Sequence, residues 1–566
     1  MKKALLSIII VLASIQLFAQ QWVACGQQTP AAPKVNVVSD TGQSVELCVS
    51  FGGFFKEAVT TPQGEQYLIN APKMASMLVE GAPDLPLYAV PVLIGEREEM
   101  ELSVKDVKYQ DIEGMEVAPS KGSLSRQIDP ATVPYTYGEM YSKNAFWPDN
   151  QAELDRPYIL RDFRGQNVLV YPFAFNPVTK VLRVYTQLTL VMRPTGKEGE
   201  NAQSRLRASH KLAREADALY ARRFVNYRER AAKYNFIADV GEMLVICPEQ
   251  YMEAMQPFVD WKNQSGRPTT MVSLTEAGGN NVEAIKSFIR SHYENPDENL
   301  CYVLVVGDYA DVTPKARNGG CSDIYWGQLD GNDNYPELFV GRFSVESVAD
   351  VQNHVSKVIY YERDITADAS WLSRGIGIGS TEGEGSGHNG GESDYVHMDY
   401  IRDTLLHYTY TDVSQHYRGV GVGTNAAMLS ADFNAGAGIC NYCNHGSVIG
   451  WYVGNFDISN VDALVNDYKW PFIWSTACLN GQFYNTCFAE AWMRATNDNT
   501  GAPTGAIGGM FSWTSQPWQE PMTGQDEMVD VLCEWRSPDQ FHHTLGGASL
   551  NGISRSEERF SRNAET

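Results

Sequence analysis

Short runs of alternating apolar and polar residues fill the first third of the chain. Ser44–Val49 (SVELCV) and Val181–Met192 (VLRVYTQLTLVM) are examples, and Gly/Pro turns separate such runs from about 21 to 196. A period of two predicts half-buried strands, so this third reads as mostly β. Residues 197–233 break the pattern. They are rich in Arg, Lys, Glu and Ala, which predicts a solvated polar helix or linker, accessible to proteolysis. From 240 the pattern changes again. Met243–Cys247 and Tyr302–Val306 are unbroken apolar runs of buried-strand length. Gln250–Gln264 places Met252, Met255, Phe258 and Val259 on one helical face. Helices are also predicted over Val345–Tyr361 and Asp399–His407, and strands over Gly375–Gly379, Gly438–Tyr442 and Phe472–Thr476. Strands alternating with helices predict an α/β unit with a mainly parallel sheet covered on both faces. Sites in such sheets lie beyond the carboxyl ends of the strands.

The two ends of the chain stand apart from this pattern. Lys2 and Lys3 precede a largely apolar run, Ala4–Ala19, which reads as an export signal cleaved after Ala19. The run is short for a membrane span, and no Cys sits just after the cleavage point to carry a lipid. At the other end, residues 555–566 (RSEERFSRNAET) resemble a translated sequencing-library adapter and are set aside, with the natural sequence expected to break off near Ser554. At 566 residues the chain is too long for one hydrophobic core, which stops growing near ~250–300 residues. Its 45 basic and 68 acidic residues give a net charge of −23, which excludes a general nucleic-acid binder. Ten Cys are too few for a disulfide scaffold.

Chemistry concentrates at two strand ends. One predicted strand runs into Cys443-Asn444-His445-Gly446-Ser447, the other into Ala477-Cys478-Leu479-Asn480-Gly481. Leaving neighbouring strands of a parallel sheet, His445 and Cys478 would meet at its carboxyl edge. Imidazole activates a thiol near neutral pH. Gly446 lets the backbone approach a substrate carbonyl, and the amides of Gly446 and Cys478 could form an oxyanion hole. Taken alone, the two dipeptides fit a core His and a buried Cys equally well. Zinc is disfavoured: Cys440 and Cys443, three apart in a strand, point to opposite faces, whereas a zinc knuckle needs its C-x-x-C in a turn.

These residues, with a 33-residue step from His445 to Cys478, resemble the gingipains, caspase-like cysteine endopeptidases. The segments FVDWKN (258–263), LVVGD (304–308), GRFS (341–344), YER (361–363), CFAE (487–490), GQDEM (524–528) and LNG (550–552) follow in the family's order. Lys121–Arg126 with Val133-Pro134-Tyr135 resembles the family's prodomain. The resemblance implies a caspase-like α/β/α catalytic domain in two subdomains behind a mostly β prodomain. The divisions expected are a signal peptide over 1–19, a prodomain over 20–230, subdomain A over 231–375 and subdomain B over 376–554. It implies Cys478 as nucleophile, His445 as general acid/base, and Glu382 (with Glu384 as alternative) as the carboxylate that orients His445.

In the arginine-specific members the pocket Asp ends a Gly-Glu-Ser-Asp segment, here Gly391–Asp394, and Trp518 and Met522 match the pocket walls. A buried carboxylate, ideally bidentate to the guanidinium, beside a Trp face would select Arg. Lysine-specific members carry an acid next to that Trp, where this chain has Ser515-Gln516-Pro517, so Arg at P1 is expected, with Lys or mixed preference as the alternative. Arg126 is expected to plug the pocket in the zymogen, and Arg222, Arg223, Arg228 and Arg230 to serve in its release. By resemblance, structural Ca²⁺ would be held by Asp308, Asp330, Asp333, Tyr335 and Glu337 with Glu392 and His397. A second cluster would comprise the Phe483 carbonyl, Glu490, Asp526 and Glu527. A different class of function, a catalytically silent Ca²⁺-binding adhesin on the same scaffold, is the further alternative.

Overall fold

Val45, Leu47 and Val49 alternate inward along strand β1 (Val45–Ser50), each at most 1% exposed, as a half-buried strand requires. The computed structural model describes residues 20–203, 211–231, 237–317, 319–383, 392–533 and 544–560. The predicted signal peptide, Glu384, Gly391 and Lys233 lie outside them.

In the N-terminal region β1 pairs antiparallel with the long strand β5 (Val181–Glu198), which also pairs with β2 (Glu98–Glu113). The periodic stretch predicted to stop at Met192 runs on because Arg193, Pro194 and Glu198 find partners in Glu101, Met100 and Glu98. Ala152–Leu160 (β3) and Phe163–Val170 (β4) form a hairpin packed beside this sheet, turning at Arg161 with φ 50°. Phe54, Phe173, Phe175, Leu188 and Leu190 fill the core between strands.

The polar stretch that follows contains α1 (Arg214–Arg223) and α2 (Tyr227–Ala231). These are more firmly held than a solvated linker. Arg222 donates to Glu527 at 2.6 Å, Arg223 pairs with Glu558 at 2.8 Å and Arg230 with Asp40 at 2.8 Å, while Arg228 is exposed.

The rest is α/β, as predicted, and its main strands form two parallel sheets, with two small antiparallel ones beside them. The first orders Thr269–Ser273 (β7), Glu242–Cys247 (β6), Leu300–Val306 (β8) and Phe339–Phe343 (β9). Helix α3 (Met252–Gln264) buries Met255, Phe258 and Val259 against it, and α5 (Val348–Ile359) packs beside α3, while α4 (Val282–Tyr293) buries Ile285 and Ile289 in the cluster on the other side. The second sheet orders Asp412–Arg418 (β11), Arg374–Ser380 (β10), Ile439–Cys443 (β12), Phe472–Thr476 (β13) and Gly508–Met510 (β14).

Two helix starts differ from the periodicity. Helix α5 begins at Val348, because the Ser347 side chain caps the Asp350 N–H. Helix α6 (Asp394–Tyr408) begins five residues before the predicted Asp399, with the Asp394 N–H donated to the Glu382 carbonyl at 2.9 Å. Helices α7 (Ala426–Ala435) and α8 (Phe488–Arg494) bury Phe433 and Trp492 in one core cluster. Near the C-terminus α9 (Gln519–Leu532) packs on α10 (Leu545–Phe560). A Cβ at Gly552 would sit 2.4 Å from the Gly524 carbonyl oxygen, so glycine is needed where the helices touch. Residues set aside as adapter-like continue α10 as far as Phe560 and bury Glu558.

Candidate active site

Strands β12 and β13 are neighbours, with Cys443 opposite Thr476, so the residues after each emerge side by side. The Asn444 N–H donates to the Thr476 carbonyl at 3.2 Å and extends the pairing by one step. A Cβ at Gly446 would lie 2.9 Å from the Ala477 Cβ and from the Cys478 carbonyl oxygen, so only glycine permits this approach of the two loops. Leu479 follows the nucleophile candidate at φ 64°, a left-handed turn that a branched side chain rarely adopts. His445 Nε2 lies 2.7 Å from Glu382 Oε2. That hydrogen bond, helped by Asn444 and opposed by burial, holds the Glu382 carboxyl below its ordinary range. Cys478 is 2% exposed, and its Sγ accepts from the Gln516 N–H at 3.4 Å. Among the described residues no hydrogen bond joins the thiol to His445. Cys440 packs into the core with Ile378 and Ile473, and Cys443 into a separate cluster with Met398 and Met522, which places them on opposite faces as argued against zinc.

Arg126 reaches this site from the N-terminal region. Its segment pairs antiparallel along 516–518: the Arg126 N–H donates to the Gln516 carbonyl at 2.8 Å and the Trp518 N–H to the Leu124 carbonyl at 3.0 Å. The Trp518 indole N–H also donates to the Ile128 carbonyl at 3.0 Å. The Arg126 side chain is fully buried, its guanidinium 4.6 Å from the Trp518 ring centre. Nη1 lies 3.3 Å from Asp394 Oδ1, and Nη2 lies 3.1 Å from the Trp518 carbonyl and 3.2 Å from Cys443 Sγ. Burial opposes the charge, but Cys443 and Asp394 prevail and hold the guanidinium pKa above its ordinary value.

The bidentate pairing expected of Asp394 is not made. Its Oδ2 is taken by Asn444 Nδ2 at 2.8 Å, leaving Oδ1 alone for the guanidinium. Met522 is fully buried in the cluster with Met398 and Trp474. Sequence reasoning assigned no part to Cys443 or Asn444. Cys443 was weighed only as a zinc ligand and Asn444 not at all, and their contacts with Asp394 span about fifty residues of chain.

Residues 238–564 match Peptidase family C25 and residues 27–219 match its propeptide. The chain belongs to peptidase family C25. Gingipain R1 of Porphyromonas gingivalis is 37% identical over 96% of this chain, which spans 54% of that relative's length. The crystal structure of the Arg-specific cysteine proteinase gingipain R superposes with a TM-score of 0.55 at 39% identity, covering 57% of this chain and 74% of that one. A complex of the Porphyromonas gingivalis gingipain R pro- and mature domains gives the same TM-score and identity, covering 57% of this chain and 76% of that one. The C25 chain thus has the caspase-like gingipain fold behind a propeptide domain.

The candidate cation ligands of this C25 chain sort differently from the expected sets. Asp308 and Glu490, expected apart, lie together with Glu346, which sequence reasoning did not select. Arg494 already serves that trio, 2.6 Å from both Glu346 and Glu490, so its charge is met by a guanidinium. Glu392 and His397 come together with Asp526 rather than with the 329–337 loop: His397 Nδ1 is 3.3 Å from Glu392 and 3.6 Å from Asp526. Glu527 is engaged by Arg222; burial opposes its ionisation, but Arg222, Arg223 and Arg555 pull it below the carboxylate range. The Phe483 ring packs on Trp513.

In the loop itself, Glu337 Oε2 accepts from the Leu329 and Asp330 N–H groups, while its Oε1 is buried without a hydrogen-bond partner among the described residues. Burial, with Asp333 and Asp330 nearby, pushes Glu337 well above the carboxylate range. A buried carboxylate oxygen lacking a donor among other carboxylates suits a hard, oxygen-seeking cation. Asp333 and Tyr335 also face the N-terminal region: Asp333 accepts from the Ile159 N–H at 2.9 Å, and the Tyr335 ring stacks on Tyr158.

Proposed function

We propose that this chain is the zymogen of a cysteine endopeptidase that cleaves proteins after Arg. The observation that carries this is Arg126: a fully buried guanidinium beside Trp518 and Asp394, on a segment paired like an extra strand next to Cys478 and His445. An extended segment with a buried P1-like side chain is the binding mode of a peptide substrate. Cys478 is the nucleophile. With Nε2 committed to Glu382, His445 Nδ1 is the nitrogen that takes the thiol proton and later returns it to the leaving amine. The amides of Gly446 and Cys478 stabilise the oxyanion. Asp394 Oδ1, Cys443 and the Trp518 carbonyl receive the P1 guanidinium.

In this account the prodomain keeps the enzyme latent by presenting Arg126 as a substrate mimic. Release requires cuts between Arg222 and Lys233. Exposed Arg228 is the accessible candidate, because Arg222, Arg223 and Arg230 are tied by ion pairs. The Lys2–Ala19 segment supports export of the chain to the cell surface or beyond. Among the described residues no helix is long and apolar enough to cross a membrane. A structural Ca²⁺ would be held by Asp330, Asp333 and Glu337, where it would supply charge neutralisation to buried carboxylates.

A thiol-reactive arginyl inhibitor tests the proposal. It should label the processed protein at Cys478, identified by peptide mapping, and the lysyl analogue should label it far more slowly. Absence of labelling would favour the silent adhesin.

A further inference from the structure

Asn444 is the first residue beyond β12, between Cys443 on the pocket floor and His445. Its side chain is fully buried. Its single NH₂ group faces three acceptors: Ser380 Oγ at 2.7 Å, Asp394 Oδ2 at 2.8 Å and Glu382 Oε2 at 3.1 Å. Two of them are carboxylates, so the nitrogen and not the oxygen of the amide must point this way. The Glu382 oxygen it touches is the same Oε2 that holds His445 Nε2. Its backbone is fixed as well, through the Thr476 carbonyl on the strand that leads to Cys478.

We propose that Asn444 is a positioning residue that ties the carboxylate recognising the P1 side chain to the carboxylate orienting the catalytic histidine. The idea rests on the endopeptidase reading above and deepens it. An NH₂ group has two protons for three acceptors, so what one acceptor gains another loses. A guanidinium arriving at Asp394 Oδ1 draws charge from that carboxylate and weakens its claim on Asn444. The amide then turns more fully to Ser380 and Glu382, and the Glu382–His445 pair is held in place when the pocket is filled. Filling the pocket thereby favours the aligned histidine, which is an effect on turnover and not on binding alone.

A mutant cycle tests this in the processed enzyme with arginyl reporter peptide, reading kcat and KM separately. Asn444→Ala should lower kcat about tenfold with KM changed less than about threefold. Made in the Asp394→Ala enzyme, which keeps no acceptor at that position, the same substitution should lower kcat less than about threefold, because one end of the tie is already gone. Equal kcat losses in the two backgrounds, or an unchanged kcat in the first, would overturn the proposal while leaving the endopeptidase reading intact. A parent enzyme that does not hydrolyse the arginyl reporter overturns both. If the alanine variant does not fold, judged by thermal unfolding, Asn444→Ser, which keeps one donor, is read by the same cycle against the same criteria.

Discussion

Asp394 offers one oxygen to a guanidinium, and its value lies in being wholly desolvated. A charge-assisted contact there is worth about 3 kcal/mol, so Asp394→Asn should cut arginyl kcat/KM at least ~100-fold. An unchanged constant would remove Asp394 from the pocket. Cys478 makes a different prediction: its thiol accepts one long hydrogen bond, so Cys478→Ala should abolish reporter hydrolysis and leave the thermal unfolding midpoint essentially unchanged. At this scale the sequence was most legible where a residue type carries chemistry by itself. His445 and Cys478 stand at strand ends, and Asp394 and Trp518 carry the family pattern. Cys443 and Asn444 were not legible, because their parts come from contact with Asp394 across the fold.

Elements with unbroken periods were readable almost to the residue, as at Phe472–Thr476. Boundaries set by single hydrogen bonds were not, since a Ser347 cap or the Asp394–Glu382 backbone contact leaves no periodic trace. No helix was read over Leu545–Phe560, whose last turns fall in the stretch set aside as adapter-like. The link between α1 and α10 makes the clearest prediction at this scale. Glu215 on α1 accepts the Thr544 N–H at 3.0 Å, at the start of α10. Burial, resisted by that hydrogen bond, raises its pKa to about 7. A carboxyl raised on docking contributes fully below its ordinary value near ~4.3, and that contribution is lost as pH rises through about 7. The prodomain should therefore leave the nicked zymogen faster at pH 8 than at pH 5.5, measured by stopped-flow dissociation. Glu215→Gln, neutral at both values, should flatten this difference.

Across the whole molecule the prodomain contacts the catalytic domain at separate places: the Arg126 segment, the β3–β4 hairpin against the 329–337 loop, and α1 against α9 and α10. In the proposed account, that arrangement would make latency a property of docking plus plug. Prodomain made separately should inhibit the processed domain, and Arg126→Ala should weaken inhibition roughly tenfold or more, as for a desolvated anchor. Ca²⁺ at millimolar concentration should raise the unfolding midpoint of the processed domain, since a ligand bound only by the folded state stabilises it. Glu337→Gln should abolish most of that shift while leaving the metal-free midpoint nearly unchanged, because the carboxyl is already pushed toward its neutral form.

The change from a β-rich front to an α/β rear was visible in the change of period. The docking between them was not, because each interface pairs residues distant in sequence. Hydrolysis of an arginyl reporter peptide against its lysyl counterpart by the processed enzyme bears most directly on the account as a whole. A preference for Arg of about a hundredfold or more in kcat/KM is the predicted result; equal rates, or faster cleavage of the lysyl peptide, would contradict it.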